Sequence, residues 1–165
     1  MTATILNDQS RSALPVSGKA SWAEYEVWRD RLEADDRVQV SFHAGYLWVM
    51  GWEGLNHAQV KDLFILLLGF WYMARPGVMA RWSSTDHRSS MSGCLMEKVD
   101  VGGAAPDLML YVGDGAPQWQ EGTKRRISLD EWRVPDLVGE VSDTTLASDL
   151  DEMKQLYAAL GIPEY

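Results

Sequence analysis

The sequence predicts an α/β (α+β) domain in which a mixed sheet is flanked by helices. Three segments carry apolar residues at helical spacing, and strand-length runs of alternating or apolar residues lie between them. The order is helix, hairpin, long helix, several strands and a last helix, which favours helices packed on a mixed sheet. A chain of 165 residues with 46% hydrophobic and 24% charged residues is typical of one globular domain.

The first 20 residues mix Thr, Ser, Asn, Gly and Pro without periodicity. We therefore expect a flexible leader over residues 1–20 and a single domain over residues 21–165. Ser21 and Glu24 have the spacing of a capping box, in which each side chain accepts from the other residue's backbone N–H. This pattern predicts a helix that continues to about Ala34.

A β-hairpin is predicted next, because apolar and polar residues alternate over Val38–Phe42 and Tyr46–Met50 on either side of Ala44-Gly45. A long helix should follow from His57 to Ala74, with Asn56 as its N-cap. The helix is apolar nearly all round after Asp62, which predicts that it is buried.

Four strands and a last helix complete the prediction. The strands are expected at Val78–Trp82, Leu95–Lys98, Asp107–Val112 and Leu137–Val141. The helix should run from a cap at Ser148 to Leu160 and stop at Gly161.

Charge and cysteine content limit the classes of function. A net charge of −9 argues against a large nucleic-acid-binding surface, since such a surface needs Lys and Arg. The one tight basic cluster, Lys124-Arg125-Arg126, is interpreted as a solvated loop. Cys94 is the single cysteine, and no secretory signal is visible, so we expect a reducing cytoplasm. The apolar stretch Leu63–Ala74 is shorter than the ~20 residues of a bilayer span, so no membrane association is expected.

Glu140 is a carboxylate inside the otherwise apolar run Leu137–Val141. Burying this charge is costly unless it is paired or bound to a cation. A metal shared with Asp107, which opens a similar run after Pro106, would remove the cost, and oxygen ligands suit Mg²⁺ or Mn²⁺. Two alternatives stay open on spacing alone: a salt bridge to an arginine, or a strand that points Glu140 to solvent.

The runs Pro135–Thr145 and Asp149–Tyr165 resemble the C-terminal signature of the Uma-type restriction-endonuclease family. This family belongs to the PD-(D/E)xK, restriction-endonuclease-like superfamily. The similarity extends upstream through residues 105–112 and Asn56-His57. It implies a restriction-endonuclease-like mixed sheet flanked by helices, here preceded by an N-terminal helix and a hairpin. The family usually continues past Pro-Glu-Tyr with a Trp and another strand, so a C-terminal edge strand is expected to be missing.

The resemblance also implies the site residues. Asp107 and Glu140 match the family's metal ligands for Mg²⁺ or Mn²⁺, and His57 matches a histidine typical of the family. The wider superfamily has a lysine two residues after the glutamate, where this chain has Ser142. Glu97 is a weaker acidic candidate.

In the Uma-type pattern the lysine stands on the last helix, at the place of Met153 in this chain. Lys154 is adjacent to that place, roughly a right angle away around the helix at ~100° per residue. We expect Lys154 to assist catalysis by extending around the flank of the helix.

Two functions from different classes follow. The first is a metal-dependent endonuclease that hydrolyses phosphodiester bonds in DNA, with Asp107, Glu140, His57 and Lys154 as catalytic residues. The second is a catalytically silent binding or assembly module with the nuclease fold. A homodimer is compatible with either, because nucleases that cut both strands often pair their sites.

Overall fold

The computed structural model describes residues 17–32, 39–51, 54–75, 80–82, 94–118, 121–122, 126–142 and 149–165. Within these ranges the chain forms three α-helices and nine strands, and a π-helical turn leads into the last helix. The helices are α1 (Trp22–Leu32), α2 (Leu55–Met73) and α3 (Lys154–Leu160), and the π-helical turn spans Asp149–Met153. The strands are β1 (Gly18–Lys19), β2 (Gln39–His43), β3 (Tyr46–Met50), β4 (Ala80–Trp82), β5 (Leu95–Lys98), β6 (Gly102–Ala104), β7 (Leu108–Val112), β8 (Arg126–Ser128) and β9 (Leu137–Gly139).

The described strands form two sheets. The larger has the order β1-β3-β2-β6-β5-β8 and is mixed, since β5 and β8 are parallel and the other neighbours are antiparallel. The smaller has the antiparallel order β4-β7-β9. This confirms the predicted mixed α/β architecture. Strands β6 and β8 were not predicted, because each is only three residues long and gives little periodicity.

The predicted hairpin and the first helix are confirmed. Ala44 and Gly45 both have positive φ, 49° and 77°, which suits a two-residue hairpin turn. At the start of α1, the backbone N–H of Ser21 donates to Glu24 Oε2 at 2.7 Å, and the N–H of Glu24 donates to Ser21 Oγ at 3.3 Å.

The ordered domain begins earlier than predicted. Residues 17–20 were placed in the leader, but Gly18–Lys19 pair with β3, and the backbone N–H of Val49 donates to Ser17 Oγ at 2.9 Å. A two-residue strand has no period that a sequence pattern could reveal. Residues 1–16 of the predicted leader lie outside the described residues.

The interpretation of the long helix needs two corrections. Gly54, not Asn56, occupies the N-cap of α2, and Lys61 is the one fully buried residue of the helix. Seven of the large apolar residues after Asp62 are between 53% and 74% exposed, and Ile65, Leu68 and Tyr72 are half-buried. The prediction failed because an apolar composition does not say which side of a helix meets the sheet. No helix in the described part of the chain is long and apolar enough to cross a bilayer.

The last helix packs one face into the larger core, although Leu150 at its start is 59% exposed. Met153, Leu156, Tyr157 and Leu160 are buried there with Met96 and Met109 on the strands. The helix ends as predicted at Gly161, whose φ of 87° is the left-handed conformation that glycine tolerates best.

A buried ion network joins α1 to the larger sheet. Glu97 Oε2 lies 2.8 Å from Arg29 NH1, and Glu97 Oε1 lies 3.0 Å from Arg126 Nε. Arg126 NH1 also lies 2.8 Å from Asp30 Oδ1. Arg126 is therefore not part of a solvated loop as predicted, because its guanidinium neutralises a buried carboxylate. Lys124 and Arg125 lie outside the described residues.

We predict that Glu97→Gln lowers the free energy of unfolding by about 3 kcal/mol, because Arg29 and Arg126 lose their buried carboxylate and keep only Asp30, whose side chain is 58% exposed. Urea denaturation measures this loss. The control is Glu26→Gln on α1, whose side chain is 44% exposed. The metal affinity of the folded Glu97→Gln variant should be unchanged, and a lost affinity would return Glu97 to the candidate site residues.

Candidate metal centre

Asp107 and Glu140 meet where two antiparallel strands of the smaller sheet end. Asp107 directly precedes β7 and Glu140 directly follows β9, and the last paired residues of the two strands are Leu108 and Gly139. The N–H of Asp107 donates to Glu140 Oε2 at 3.2 Å, and the N–H of Val141 donates to Asp107 Oδ2 at 2.7 Å. Each carboxylate thus accepts from backbone of the opposite strand. The hydrogen bonds fix one oxygen of each carboxylate.

Tyr157 orients the other oxygen of Glu140. Its hydroxyl donates to Glu140 Oε1, and its side chain is fully buried on α3. Sequence reasoning treated Tyr157 only as part of the apolar stripe of the last helix. A tyrosine on the inward side of the last helix was the sequence feature that could have identified it. A buried Tyr hydroxyl usually has a hydrogen-bond partner, so a polar group was to be expected near it.

His57 approaches the same site from α2. Its Nε2 lies 2.9 Å from Asp107 Oδ1, and the two side chains are only 15% and 11% exposed. The angle is not that of a hydrogen bond, and Nε2 is a buried nitrogen with no hydrogen-bond partner among the described residues. The site therefore contains a close approach of His57 and Asp107 without a hydrogen bond between them.

The electrostatics of the pair disfavour two ionised carboxylates. Burial, and next the charge of Asp107, raise the pKa of Glu140 to about 8, although the hydrogen bond from Tyr157 acts in the opposite direction. Burial and the charge of Glu140 raise the pKa of Tyr157 well above its usual value, so its hydroxyl stays a donor. A proton or a cation at the carboxylate pair relieves the repulsion.

A divalent cation fits this donor set. Carboxylate oxygens are the ligands that Mg²⁺ and Mn²⁺ prefer, and the buried Nε2 of His57, which has no hydrogen-bond partner in the described ranges, lies beside them. Across those ranges, no group of three or more His, Cys, Asp or Glu side chains has the spacing of a metal site. Mg²⁺ commonly binds through one or two carboxylates and keeps several waters, so the Asp107–Glu140 pair is sufficient.

The predicted basic residue is the least well placed. The side chain of Lys154 is exposed, whereas Met153 is 6% exposed and occupies the inward position one turn before Tyr157. Ser142 has a buried Oγ with no hydrogen-bond partner among the described residues. The structure thus brings Asp107, Glu140 and His57 together and leaves Lys154 at the surface.

Asp136, in the second Pro-Asp pair, has a structural role. Its Oδ2 accepts from the N–H of Val112 at 2.6 Å and lies 2.9 Å from Arg133 NH1. Arg133 in turn donates to the carbonyls of Asp114 and Val112. These contacts stabilise the C-terminal end of β7, at the opposite end of the strand from Asp107. Asp107 is therefore the aspartate of the site.

A shallow groove of about 460 Å³ lies elsewhere on the molecule. It is lined on one side by the hairpin residues His43, Tyr46 and Trp48, and on the other by Glu152 and Gln155. Neither carboxylate of the candidate site lines it, so it is separate from the Asp107–Glu140 pair.

A mixed α/β fold with two acidic side chains at adjoining strand ends defines the restriction-endonuclease-like class. Residues 22–165 match the model of the Uma2 family, whose description is "Putative restriction endonuclease". The match covers most of the chain, and the protein belongs to this family. No match was found among curated proteins or among solved structures.

We predict that Glu140→Gln stabilises the metal-free protein at alkaline pH. The ordinary pKa of Glu140 is 4.5 and its folded value is about 8, so the folded state binds the proton more tightly than the unfolded state does. The wild type therefore loses stability as pH rises from 4.5 towards 8, by up to about 1.4 kcal/mol per pH unit. Gln does not ionise and escapes this loss.

Thermal melts in the presence of a chelator, from pH 4 to pH 9, measure the difference. The gain of Glu140→Gln should be absent at the acidic end and largest at the alkaline end. Glu131→Gln, at an exposed position, serves as the control. A gain that does not change with pH would show that Glu140 is ionised throughout.

Proposed function

We propose that the protein is a metal-dependent endonuclease that hydrolyses phosphodiester bonds in DNA, with Asp107 and Glu140 as its metal ligands. Membership of the Uma2 family supports the nuclease class. The observation that carries the metal site is the mutual placement of the two carboxylates, each held by backbone N–H groups across the strand ends. Mg²⁺ or Mn²⁺ suits these oxygens.

In this proposal, the protein's own groups position the reacting partners. A bound Mg²⁺ would polarise the phosphoryl oxygen and lower the pKa of a water. Asp107 keeps Oδ1 directed towards His57, because its Oδ2 is held by the N–H of Val141. Tyr157 and the N–H of Asp107 hold the two oxygens of Glu140 and prevent rotation of that carboxylate.

His57 has the position of a proton acceptor. In the tautomer that carries its proton on Nδ1, Nε2 is free to take a proton from the attacking water. Nε2 is buried beside Asp107, so this acceptor is shielded from bulk solvent. General bases of this kind typically contribute 10²–10⁴-fold to the rate.

Lys154 remains the proposed electrostatic partner. Its side chain begins on the exposed flank of α3, next to the buried Met153. A lysine stem is long enough to follow an apolar surface while its ammonium stays in water. Lys154 would then act on a phosphate at the mouth of the site and not from within the core.

The second candidate is a catalytically silent module with the same fold. It is favoured by one observation, the buried thioether of Met153 at the inward position of the last helix. The overall charge of −9 agrees with it, since an acidic surface repels nucleic acid. Metal binding and metal-dependent cleavage distinguish the two candidates.

The cellular compartment is a further proposal. Burial raises the pKa of Cys94 to about 11, so its thiol is poorly reactive. A reducing cytoplasm, where thiols are kept reduced, agrees with this single cysteine.

We predict that Asp107→Asn and Glu140→Gln each weaken Mg²⁺ and Mn²⁺ binding by about 100-fold or more, because each removes a charged ligand oxygen. Isothermal titration calorimetry measures the affinity. Asp136→Asn is the matched control, since Asp136 also follows a proline but pairs with Arg133. Cleavage of plasmid and single-stranded DNA should be lost in the first two variants and retained in the third.

The calorimetry separates the outcomes. Metal binding without cleavage of any DNA would favour the silent module. Absence of binding by the wild type at millimolar concentration would contradict the metal-dependent reaction altogether.

A further variant tests whether a lysine ammonium at the inward position of the last helix increases activity. We predict that Met153→Lys increases the Mg²⁺-dependent cleavage rate by about 10- to 100-fold, because it brings an ammonium to the inward position beside Tyr157. The control is Leu150→Lys, one turn earlier at a position that is 59% exposed. If both variants raise the rate equally, the gain comes from a less acidic surface and not from the site.

A further inference from the structure

Helix α2 exposes more large apolar side chains than an ordinary surface helix does. Its inward side carries the buried Lys61 and the half-buried Ile65, Leu68 and Tyr72, and His57 lies at the edge of that side, where it reaches Asp107. The opposite side is an outer face of seven large apolar side chains, each more than half exposed: Leu63, Phe64, Leu66, Leu67, Phe70, Trp71 and Met73. At ~100° per residue these seven positions fall within one half of the helix circumference.

This outer face of α2 is larger than a monomer usually exposes. At roughly 200 Å² per side chain, of which a little over half is exposed, the seven side chains present roughly 800 Å². Contiguous apolar patches of more than a few hundred Å² mark interaction sites. In the part of the chain that the structure describes, all seven side chains are more than half exposed, and Arg75 stacks on Trp71 at the end of the face, 3.3 Å from the ring centroid.

The chemistry of the face limits its partner. No residue from 63 to 73 carries a charge, in a chain whose net charge is −9. An anionic membrane or a nucleic acid would be repelled by the surrounding acidic surface. A second copy of α2 supplies an equally uncharged, equally large apolar face. A standard stable interface buries about 800 Å² per partner, which is the area available here.

We propose that the outer face of α2 forms a twofold homodimer interface with the same face of a second copy. A twofold axis makes the contact self-complementary, so one apolar helix face is sufficient for both partners. Lys61 lies on the opposite side of the same helix, and His57 lies two turns before Phe64, beyond the N-terminal end of the face, so His57 keeps its place beside Asp107 in each protomer. The interface does not depend on the proposed nuclease activity.

Light scattering coupled to gel filtration, run on the full chain over a range of micromolar concentrations, tests the proposal. The wild type should have twice the chain mass of 18.6 kDa. Leu67→Glu should shift it to the single mass, because the new charge would be buried against an apolar face. Val27→Glu is the matched control, since Val27 on α1 is an isolated apolar residue that is 65% exposed, and this variant should stay dimeric.

A second variant keeps the test decisive if Leu67→Glu fails to fold. Leu67→Cys should form a disulfide-linked dimer on mild oxidation, whereas Val27→Cys should not. A wild type of single mass overturns the proposal. If that monomer loses thermal stability in Leu67→Glu, another segment of the chain covers the face. If it binds zwitterionic phospholipid vesicles through Leu67, the face meets a membrane.

Discussion

Two carboxylates share the end of one antiparallel strand pair, and this constraint organises the candidate site. Beyond Leu108 and Gly139 the β7–β9 ladder is continued by side chains, since Asp107 and Glu140 each accept a backbone N–H of the opposite strand. The arrangement satisfies two amides that would otherwise be unpaired, but it also brings two acidic groups together. Proximity and burial raise the pKa of Glu140, so the site holds a proton or a cation at neutral pH.

The elements around this pair can be understood as responses to it. Helix α3 contributes the hydroxyl of Tyr157, which needs a buried position and therefore a helix face packed into the core. Helix α2 contributes His57 and turns seven large apolar side chains outward. By contrast, the buried carboxylate of Glu97 is neutralised by Arg29 and Arg126, which gives it a structural role.

The elements with a clear local sequence pattern and the acidic pair could be predicted from the sequence. The side-chain contacts between distant elements could not. The capping box, the hairpin and the last helix were predicted because their signals are local, and Asp107 with Glu140 because a carboxylate in an apolar strand is anomalous. The resemblance to the family supplied His57. No local pattern could show that Tyr157 holds Glu140, that Arg126 pairs with Glu97, or that α2 would turn its apolar residues outward, because each depends on which side of an element meets the rest of the fold.

The central claim is that the Asp107–Glu140 pair takes up a divalent cation, and crystals grown with Mn²⁺ test it most directly. An anomalous difference map should contain a peak about 2 Å from an oxygen of each carboxylate. The proton that the raised pKa keeps on metal-free Glu140 would be displaced, and Tyr157 would keep its hydrogen bond to Glu140. A map without a peak at this position, at saturating Mn²⁺ and with both backbone hydrogen bonds intact, would contradict the account. The two acids would then only close the end of the strand pair.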